Sequence, residues 1–280
     1  MLPEGAGWQA ALHLGVERRD EESILALRRH SGPLRVQKAL WPEGPGLVHL
    51  VMVHPPGGIA GGDQLSIDID IGRDAAALVT TPGAAKWYKA NGRPAGQQVT
   101  LRLAAGATLE WLPQENIVFD GARIAMALRL ECASAARACG WEISVLGRRA
   151  SQETFKEGQL AQRIDLLRDG KLLWSERACL NGGDALLASA LGWDGAHVSG
   201  LFWLLGSEVG DAELEHCRAV AQGEGEPVRL GITRYAHELV LARVLGASPE
   251  RVRSVLTSVW AALRPGLNGR SGVSPRIWAT

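Results

Sequence analysis

Alternation of apolar and polar side chains is the clearest structural signal in this chain. Residues 64–71 alternate without a break. A strand places every second side chain on the same face, so the four apolar members share one face: Leu65, Ile67, Ile69 and Ile71. Weaker alternation or continuous apolar runs predict further strands at residues 47–53, 75–80, 98–103, 123–130, 141–146 and 162–168.

Turn-forming residues separate these segments at intervals of roughly ten residues. The turn signals are Gly72, Pro82–Gly83, Asn91–Gly92, Ala105–Gly106, Asp120–Gly121, Gly147 and Asp169–Gly170. Short strands with turns at this spacing predict a mainly β fold whose architecture is layered, barrel-like or coiled. No strict repeat length is present, so spacing alone does not predict a regular solenoid.

The last third of the chain contains predicted helices as well as strands. We predict a helix over 208–222, a strand over 228–233 and a second helix over 236–245. The chain as a whole, residues 1–280, is interpreted as a single β-rich domain with a more helical portion at about 206–265.

The strongest helix signal begins at Ser248. Serine is a favoured N-cap, and Pro249 and Glu250 suit the first turn of a helix. Pro265–Gly266 predicts the end of this helix. Its apolar residues recur at helical spacing and are interpreted as core: Val252, Val255, Leu256, Val259, Trp260 and Leu263.

Composition narrows the classes of partner and the compartment. The 280 residues include 30 basic and 30 acidic side chains, for a net charge of +0. Nucleic acid and anionic membranes favour a basic surplus, so neither is predicted as a partner. No apolar run approaches the roughly 18 residues of a membrane span, and residues 1–8 lack signal-peptide features. The four scattered cysteines favour a reduced, cytoplasmic protein.

Motifs of common enzyme classes are absent from the sequence. It contains no GxxxxGK[ST] phosphate-binding loop, no GxSxG elbow and no GxGxxG between a strand and a helix. The seven histidines form neither HxH nor HExxH, so a closed zinc site is not predicted. Each isolated histidine is interpreted as a structural residue.

A loop rich in proline and glycine, residues 54–63, is the most distinctive local feature. Prolines restrict φ, and glycines permit unusual backbone angles and close approach of other groups. The loop ends at Asp63 and is therefore suited to positioning one carboxylate. Without a following lysine, its glycines do not form a phosphate site.

Acidic residues next to apolar segments are the main candidates for a functional site. Such residues lie either on a solvated strand face or in a polar interior. Carboxylates in an interior bind divalent ions weakly and reversibly when few ligands converge. The candidates are Asp63, Glu110, Glu142 and Glu176, with Lys86 and Arg148 as cationic neighbours.

Several segments together resemble the urease accessory protein UreD family, also called UreH. The most specific are HPPGGIAGGD at 54–63 and LEWLPQE at 109–115. The resemblance runs from end to end and is thin between about 181 and 229; residues 38–41 depart from the family pattern. Further matching segments lie at 7–10, 32–37, 42–43, 81–88, 140–142, 146–148, 170–177, 263–265 and 275–278.

The resemblance implies a non-enzymatic scaffold with a mainly β fold of coiled, β-helix-like layers of strands and a few helices in the C-terminal third. UreD-like proteins bind apo-urease and recruit UreF, which docks the GTPase UreG, and together they deliver Ni²⁺ to the urease active site. The resemblance also implies a dimeric accessory complex, no tightly bound cofactor, transient Ni²⁺ and an internal water-filled passage. By motif position the weak transit ligands are Asp63, Glu142 and Glu176, with Lys86, Glu110 and Arg148 lining or supporting the passage.

Two alternative hypotheses are open from the sequence. One is a β-helical carbohydrate-active enzyme with paired carboxylates such as Glu110 and Glu142, which requires carboxyl groups about 5–10 Å apart across a cleft. The other is a binding-only scaffold, in which the acids are structural and no metal takes part.

Overall fold

A computed structural model describes residues 7–220, 223 and 225–279, which form mainly β-strands. The helices are α1 (Ala185–Ala188), α2 (Asp211–Val220) and α3 (Pro249–Asn268), with short 3₁₀ turns at Arg149–Ser151 and Arg276–Ala279. The strands in chain order are β1 (Gln9–Arg19), β2 (Glu22–Ser31), β3 (Arg35–Val36), β4 (Val48–Val53), β5 (Gln64–Ile71), β6 (Ala76–Thr80), β7 (Ala85–Trp87), β8 (Ala95–Leu103), β9 (Thr108–Leu112), β10 (Asn116–Val118), β11 (Arg123–Cys132), β12 (Arg137–Leu146), β13 (Gln159–Arg168), β14 (Lys171–Asn181), β15 (Val198–Leu205), β16 (Val228–Ala236) and β17 (Leu239–Gly246).

The chain passes back and forth between a seven-stranded and a ten-stranded sheet. In the first, β1, β5, β8, β11 and β13 run parallel, with β2 and β14 antiparallel at the edges. In the second, β4, β6, β9 and β12 run parallel and are continued by the antiparallel strands β15, β17 and β16. This arrangement confirms the predicted mainly β fold of coiled layers with helices in the C-terminal part.

A third, shorter face closes one side of the coil. β7 pairs in parallel with β10, and β10 pairs in parallel with residues 144–146 of β12. Ile59, within the proline- and glycine-rich loop, forms a parallel bridge with Trp87 of β7. The loop therefore forms an outer, strand-like edge of this short face.

The alternating pattern of β5 has the predicted consequence. Its apolar residues face the space between the two large sheets and are at most 4% exposed. On the outer face, Asp68 and Asp70 pair with Arg102 of β8 at 3.0 and 3.2 Å. Burial of one face and solvation of the other fix the register of the strand.

Two apolar cores lie on either side of the ten-stranded sheet. One fills the space between the sheets and includes Trp87, Trp111 and Trp203. The other lies between the outer face of the ten-stranded sheet and the helices α2 and α3, with Trp141 and Trp260 among its members. No helix in the described part of the chain has the length and apolar character needed to cross a membrane.

The start of α3 is confirmed. The Ser248 hydroxyl accepts a hydrogen bond from the backbone N–H of Arg251 at 3.1 Å, and Pro249 occupies the first turn. The predicted apolar stripe is buried against the ten-stranded sheet. Capping by serine and burial of one helix face together explain where this helix begins and lies.

The predicted end of α3 at Pro265–Gly266 is wrong. The helix continues to Asn268, and Gly269 ends it with φ of 72°, its N–H donating to the Pro265 carbonyl at 2.9 Å. Proline in the last turn removes only its own N–H as a donor, and burial of Leu267 favours continuation.

The predicted helix over 236–245 is also wrong, since most of this segment forms β17. β17 lies antiparallel between β15 and β16. Leu239 and Leu241 face the core between the sheets, whereas Val240 and Val244 face the helices. A short apolar run buried on both faces has no clear period, so periodicity does not distinguish it from a helix.

The remaining C-terminal predictions are close to the observed elements. The predicted helix over 208–222 corresponds to α2, and the predicted strand over 228–233 lies within β16. Residues 221 and 222 of that helix prediction lie outside the described residues, as do residues 1–6, where no signal peptide is predicted.

Candidate functional site

The carboxylate of Asp63 holds the proline- and glycine-rich loop in place. Its Oδ1 accepts a hydrogen bond from the backbone N–H of Trp8 at 2.7 Å, and its Oδ2 accepts one from that of Ala60 at 2.8 Å. The side chain is 5% exposed. With both oxygens bonded to backbone amides, Asp63 joins the loop to the N-terminal segment.

The loop packs closely against β7 and the residues after it. The N–H of Ile59 donates to the Lys86 carbonyl at 2.7 Å, and the N–H of Tyr88 donates to the Ile59 carbonyl at 2.8 Å. A Cβ atom at Gly58 would lie 2.3 Å from the Tyr88 ring. Glycine at this position is therefore needed for Tyr88 to lie on the loop.

A cavity of about 210 Å³ lies beside this loop and reaches into the space between the sheets. Apolar residues such as Met52, Ile67 and Trp111 form much of its wall. An apolar cavity with a few converging polar groups is the usual form of a binding site. The polar residues that line it are His54, Thr81, Lys86, Gln97, Gln114, Asn116 and Glu142.

Glu142 is the buried carboxylate of this cavity. Its Oε1 accepts a hydrogen bond from Trp111 Nε1 at 3.0 Å, and Asn116 Nδ2 lies 3.5 Å from its Oε2. Burial raises the pKa of Glu142 to about 7, against the opposing effect of the Trp111 hydrogen bond. Near neutral pH this carboxyl exchanges between protonated and ionised forms, and a cation in the cavity would favour the ionised form.

His54, the first residue of the loop, lines the same cavity. Burial lowers its pKa, and the neighbouring Asp63 carboxylate opposes that shift. The ring makes no hydrogen bond with any described residue, so a neutral imidazole with an available nitrogen lone pair faces this region. As an isolated histidine, His54 is predicted from the sequence to be structural; its position at the start of the most specific motif is the signal that points to the cavity.

Glu142 also lines a second, much smaller cavity of about 10 Å³. Gln97 is shared by both cavities, and Gln162 of β13 lies on the far side of the smaller one. This volume accommodates about one water molecule. Glu142 and Gln97 thus line both cavities, and we call the smaller one the constriction.

Glu176 lies at the edge of the same interior and pairs with Arg243 across the gap between the sheets. The strand register aligns Glu142 with Leu201, and Leu201 with Arg243. Two strand spacings, about 10 Å, therefore separate Glu142 from the backbone of Arg243. Neither Glu176 nor Arg243 lines the cavity that contains Glu142.

Lys86 and Arg148 occupy the surface. Lys86 lines the cavity at its rim, but strand alternation turns its exposed side chain to the opposite face from Trp87. Arg148 pairs with Glu153 at 2.7 Å, and its guanidinium lies 4.2 Å from the ring centroid of Phe119. Neither side chain lies beside Glu142.

Glu110 lies on the other side of the ten-stranded sheet from Glu142. It is fully buried, accepts a hydrogen bond from Trp260 Nε1 at 2.7 Å and pairs with Arg264 at 2.9 Å. Its neighbour Trp111 points the opposite way and donates to Glu142. Glu110 therefore anchors α3, and the two carboxylates do not face each other across a cleft.

The predicted site residues are thus spread over the molecule rather than gathered in one cluster. Glu142 lies in the cavity, Glu176 at the far edge of the interior and Asp63 within the loop. Among the described residues, no group of three His, Cys, Asp or Glu side chains has the geometry to hold a metal ion.

Comparison with known proteins agrees with the motif pattern. The family model described as UreD urease accessory protein matches residues 9–279. The chain belongs to the UreD family of urease accessory proteins. The urease accessory protein UreD of Ralstonia nicotianae is 45% identical over an alignment of 281 positions, which covers 98% of this chain and 95% of that relative. The urease accessory protein UreD 2 of Pseudomonas syringae pv. syringae is 48% identical over 273 residues. The urease accessory protein UreD of Dechloromonas aromatica is 44% identical over 276 residues. Each of these two alignments also covers 98% of this chain and 95% of the relative.

Family membership assigns this UreD chain a role in urease maturation. Its relatives are named as accessory proteins, and the chain is accordingly not an enzyme. The alternative hypothesis of a carbohydrate-active enzyme is wrong, and the separation of Glu110 from Glu142 by a sheet agrees with its rejection.

Proposed function

We propose that this UreD-family chain is a maturation scaffold that binds apo-urease and UreF, and that UreG joins through UreF. In the proposed assembly the chain helps to deliver Ni²⁺ to the urease active site through a polar passage between its two sheets. The observation that carries the passage is the position of Glu142, a buried carboxylate shared by the 210 Å³ cavity and the 10 Å³ constriction.

The proposed route begins at His54 and Glu142 and continues past Gln97 and Gln162. It ends at Glu176, where the pair with Arg243 would have to separate for a cation to pass. A protein that passes Ni²⁺ on must also release it. Sites with one or two ligands exchange a metal ion faster than closed sites with nanomolar affinity. Because the constriction accommodates about one water, transit of Ni²⁺ requires side chains there to move.

In this proposal Asp63 acts on the passage indirectly. Its carboxylate orients the loop that carries His54, and the loop forms part of the cavity wall. Lys86 lies at the rim, whereas Glu110 and Arg148 contribute to packing and to the surface. In the alternative hypothesis of a binding-only scaffold, the acids are structural, no metal takes part and no polar interior is needed.

The compartment and cofactor are part of the same proposal. The four cysteines form no disulfide; Cys179 is exposed and the other three are buried. Free thiols are typical of a reducing compartment, and we therefore propose a cytoplasmic protein that carries no permanent cofactor. A dimeric accessory complex remains part of the proposal and rests on the family resemblance alone.

Reconstitution of urease activation with Glu142→Gln tests the passage. The amide keeps the size of the side chain but cannot become an anion. We expect nickel incorporated into urease to fall roughly tenfold, comparable with the loss of a supporting contact at a metal site. Binding to apo-urease and UreF, measured by co-elution, should not change. Glu21→Gln, in the exposed turn after β1, is the matched control.

The two parts of the proposal can fail separately. Full nickel loading by Glu142→Gln would reject the passage and favour the binding-only scaffold. Failure of the unaltered protein to bind either apo-urease or UreF, with all components folded, would reject the scaffold itself.

A further inference from the structure

The segment that passes the cavity mouth carries several cations and no acidic side chain of its own. Residues 75–109 contain no Asp or Glu. Lys86, Lys89 and Arg93 are exposed and form no ion pair with any described residue. By contrast Arg102, the remaining cation of this segment, pairs with two aspartates. Three unpaired cations within eight residues give this surface a local positive potential, although the whole chain is neutral.

Lys86 and Arg93 lie beside the proline- and glycine-rich loop, whereas the side chain of Lys89 lies over Gly121, the residue that follows Asp120. A Cβ at Gly62 would lie 3.3 Å from the guanidinium carbon of Arg93, and one at Gly58 would touch Tyr88. The loop itself carries no charged side chain before Asp63. We call Lys86, Tyr88, Lys89 and Arg93 the basic rim.

Aromatic side chains extend the basic rim on one side. Tyr88 is 37% exposed, and its ring meets the Phe119 ring edge-on with centroids 5.1 Å apart. The guanidinium of Arg148 also lies over the Phe119 ring. Tyrosine and arginine are the residue types most enriched at the energetic centres of protein interfaces. Pro55 and Pro56 are exposed in a loop of restricted conformation, which lowers the entropy lost on binding.

We propose that the basic rim docks an acidic segment of a partner polypeptide, which thereby covers the cavity mouth. This inference rests on the proposed function, because the partner would be a protein that exchanges nickel through this cavity. Unpaired cations at the mouth repel an approaching dication, and carboxylates from a partner remove that repulsion. Nucleic acid is disfavoured as the occupant, since few cations and a net charge of +0 give a weak phosphate-binding surface.

Charge reversal at two rim residues tests the inference on the full-length chain. The variant is Lys89→Glu with Arg93→Glu; Lys86 is left unchanged because it lines the cavity. The matched control is Arg73→Glu with Lys171→Glu. These two exposed cations lie at the opposite end of the strands, where β5 ends and β14 begins.

Binding is measured separately to immobilised apo-urease and to immobilised UreF. For one of these two proteins, we expect the rim variant to associate about tenfold more slowly than the control at low salt. The difference should shrink at 0.5 M salt, because charges are then screened over about 4 Å. Equal association rates for rim variant and control, with both proteins as probes, would overturn the inference alone. If the unaltered chain binds neither protein, both the inference and the proposed function fail.

Two further measurements guard against misfolding and against the wrong class of partner. The neutral variant Lys89→Gln with Arg93→Gln should retain the circular dichroism spectrum and lose a smaller share of the association rate. A photo-crosslinking amino acid at Tyr88 should label a partner segment rich in Asp and Glu, whereas one at exposed Leu172 should not. A label on a segment without acids would overturn the inference. So would binding of a fluorescent single-stranded oligonucleotide as tight as that of the partner.

Discussion

At the scale of single residues, the cavity contains two titratable groups whose pKa values shift in opposite directions for one reason. Burial raises the pKa of Glu142 and lowers that of His54, because the low-dielectric interior penalises charge on either side chain. Both groups therefore favour their neutral forms when the cavity holds no cation. A divalent ion would reverse this preference at Glu142 and bind the neutral imidazole of His54 as it stands.

The raised pKa of Glu142 predicts a specific dependence of stability on pH. The folded carboxyl keeps its proton up to about pH 7, whereas the unfolded one loses it near 4.5. The burial of a protonated Glu142 therefore adds its whole contribution to the free energy of unfolding below pH 4.5. That contribution declines as the pH rises to about 7, by at most roughly 3 kcal/mol. Glu142→Gln should lack this decline. Urea unfolding at pH 5 and pH 8 should show Glu142→Gln gaining stability relative to the unaltered protein at pH 8; parallel pH profiles would contradict the assignment.

Asp63→Ala should destabilise the protein, because it leaves the amides of Trp8 and Ala60 without their acceptor. Loss of a buried acceptor costs about 1–3 kcal/mol. Asp63→Asn keeps one acceptor oxygen and should lose less. Thermal unfolding measures both variants, and equal stability of all three proteins would show that the loop does not depend on these bonds. Reduced nickel delivery by Asp63→Ala alone would therefore not establish a metal-binding role.

At the scale of elements, α3 is attached to the ten-stranded sheet by a buried charge cluster as well as by apolar packing. The Arg264 guanidinium, fully buried, pairs with Glu110 at 2.9 Å and Glu43 at 2.8 Å. Glu43 also contacts His49 at 2.9 Å. Close pairing and several hydrogen bonds offset the cost of removing these charges from water, which is high for any unpaired member.

Removal of Arg264 should therefore destabilise the protein strongly. Arg264→Met leaves Glu110 buried without its cation, and we expect the free energy of unfolding to fall by about 3–5 kcal/mol. The double variant Arg264→Met with Glu110→Gln removes the stranded charge and should recover part of the loss. Denaturant titration checks both. If the double variant were no more stable than the single one, the loss would come from packing rather than charge.

Individual elements differ in how far the sequence determines them. β5 and the start of α3 are predictable because alternation and a serine cap act locally. β17 is not, since an apolar segment buried on both faces adopts the structure that its neighbours pair with, here β15 and β16. The continuation of α3 beyond Pro265 likewise depends on tertiary packing, because it buries Leu267 in the core between α3 and the ten-stranded sheet.

At the scale of the whole molecule, the two sheets enclose an interior whose polar groups come from strands far apart in sequence. Gln97, Glu142 and Gln162 line one cavity only because β8 and β13 of the seven-stranded sheet face β12 of the ten-stranded sheet. Apart from the polar residues that line the two cavities, the core between the sheets is apolar, so those residues define where water or an ion can lie. The proposed passage is a property of this assembly and of no single strand.

A steric block of the constriction tests the passage without changing charge. Gln97→Phe places a larger apolar side chain between the two cavities, and nickel transfer to urease should fall severalfold while partner binding is retained. Gln98→Phe, on the same strand but facing outward, is the matched control. Nickel content of urease after reconstitution is the readout. Equal transfer by the two variants would place the route of nickel elsewhere.

The sequence by itself determined the family, the mainly β class and the loop that holds Asp63. These depend on short-range patterns: alternation, turns and specific motifs. The tertiary structure decided which candidate residues share a site. It brought His54 into the cavity with Glu142, separated Glu110 from it by a sheet, and occupied both oxygens of Asp63 with backbone amides. Which strands face one another depends on packing between distant segments, and that information is not contained in any local pattern.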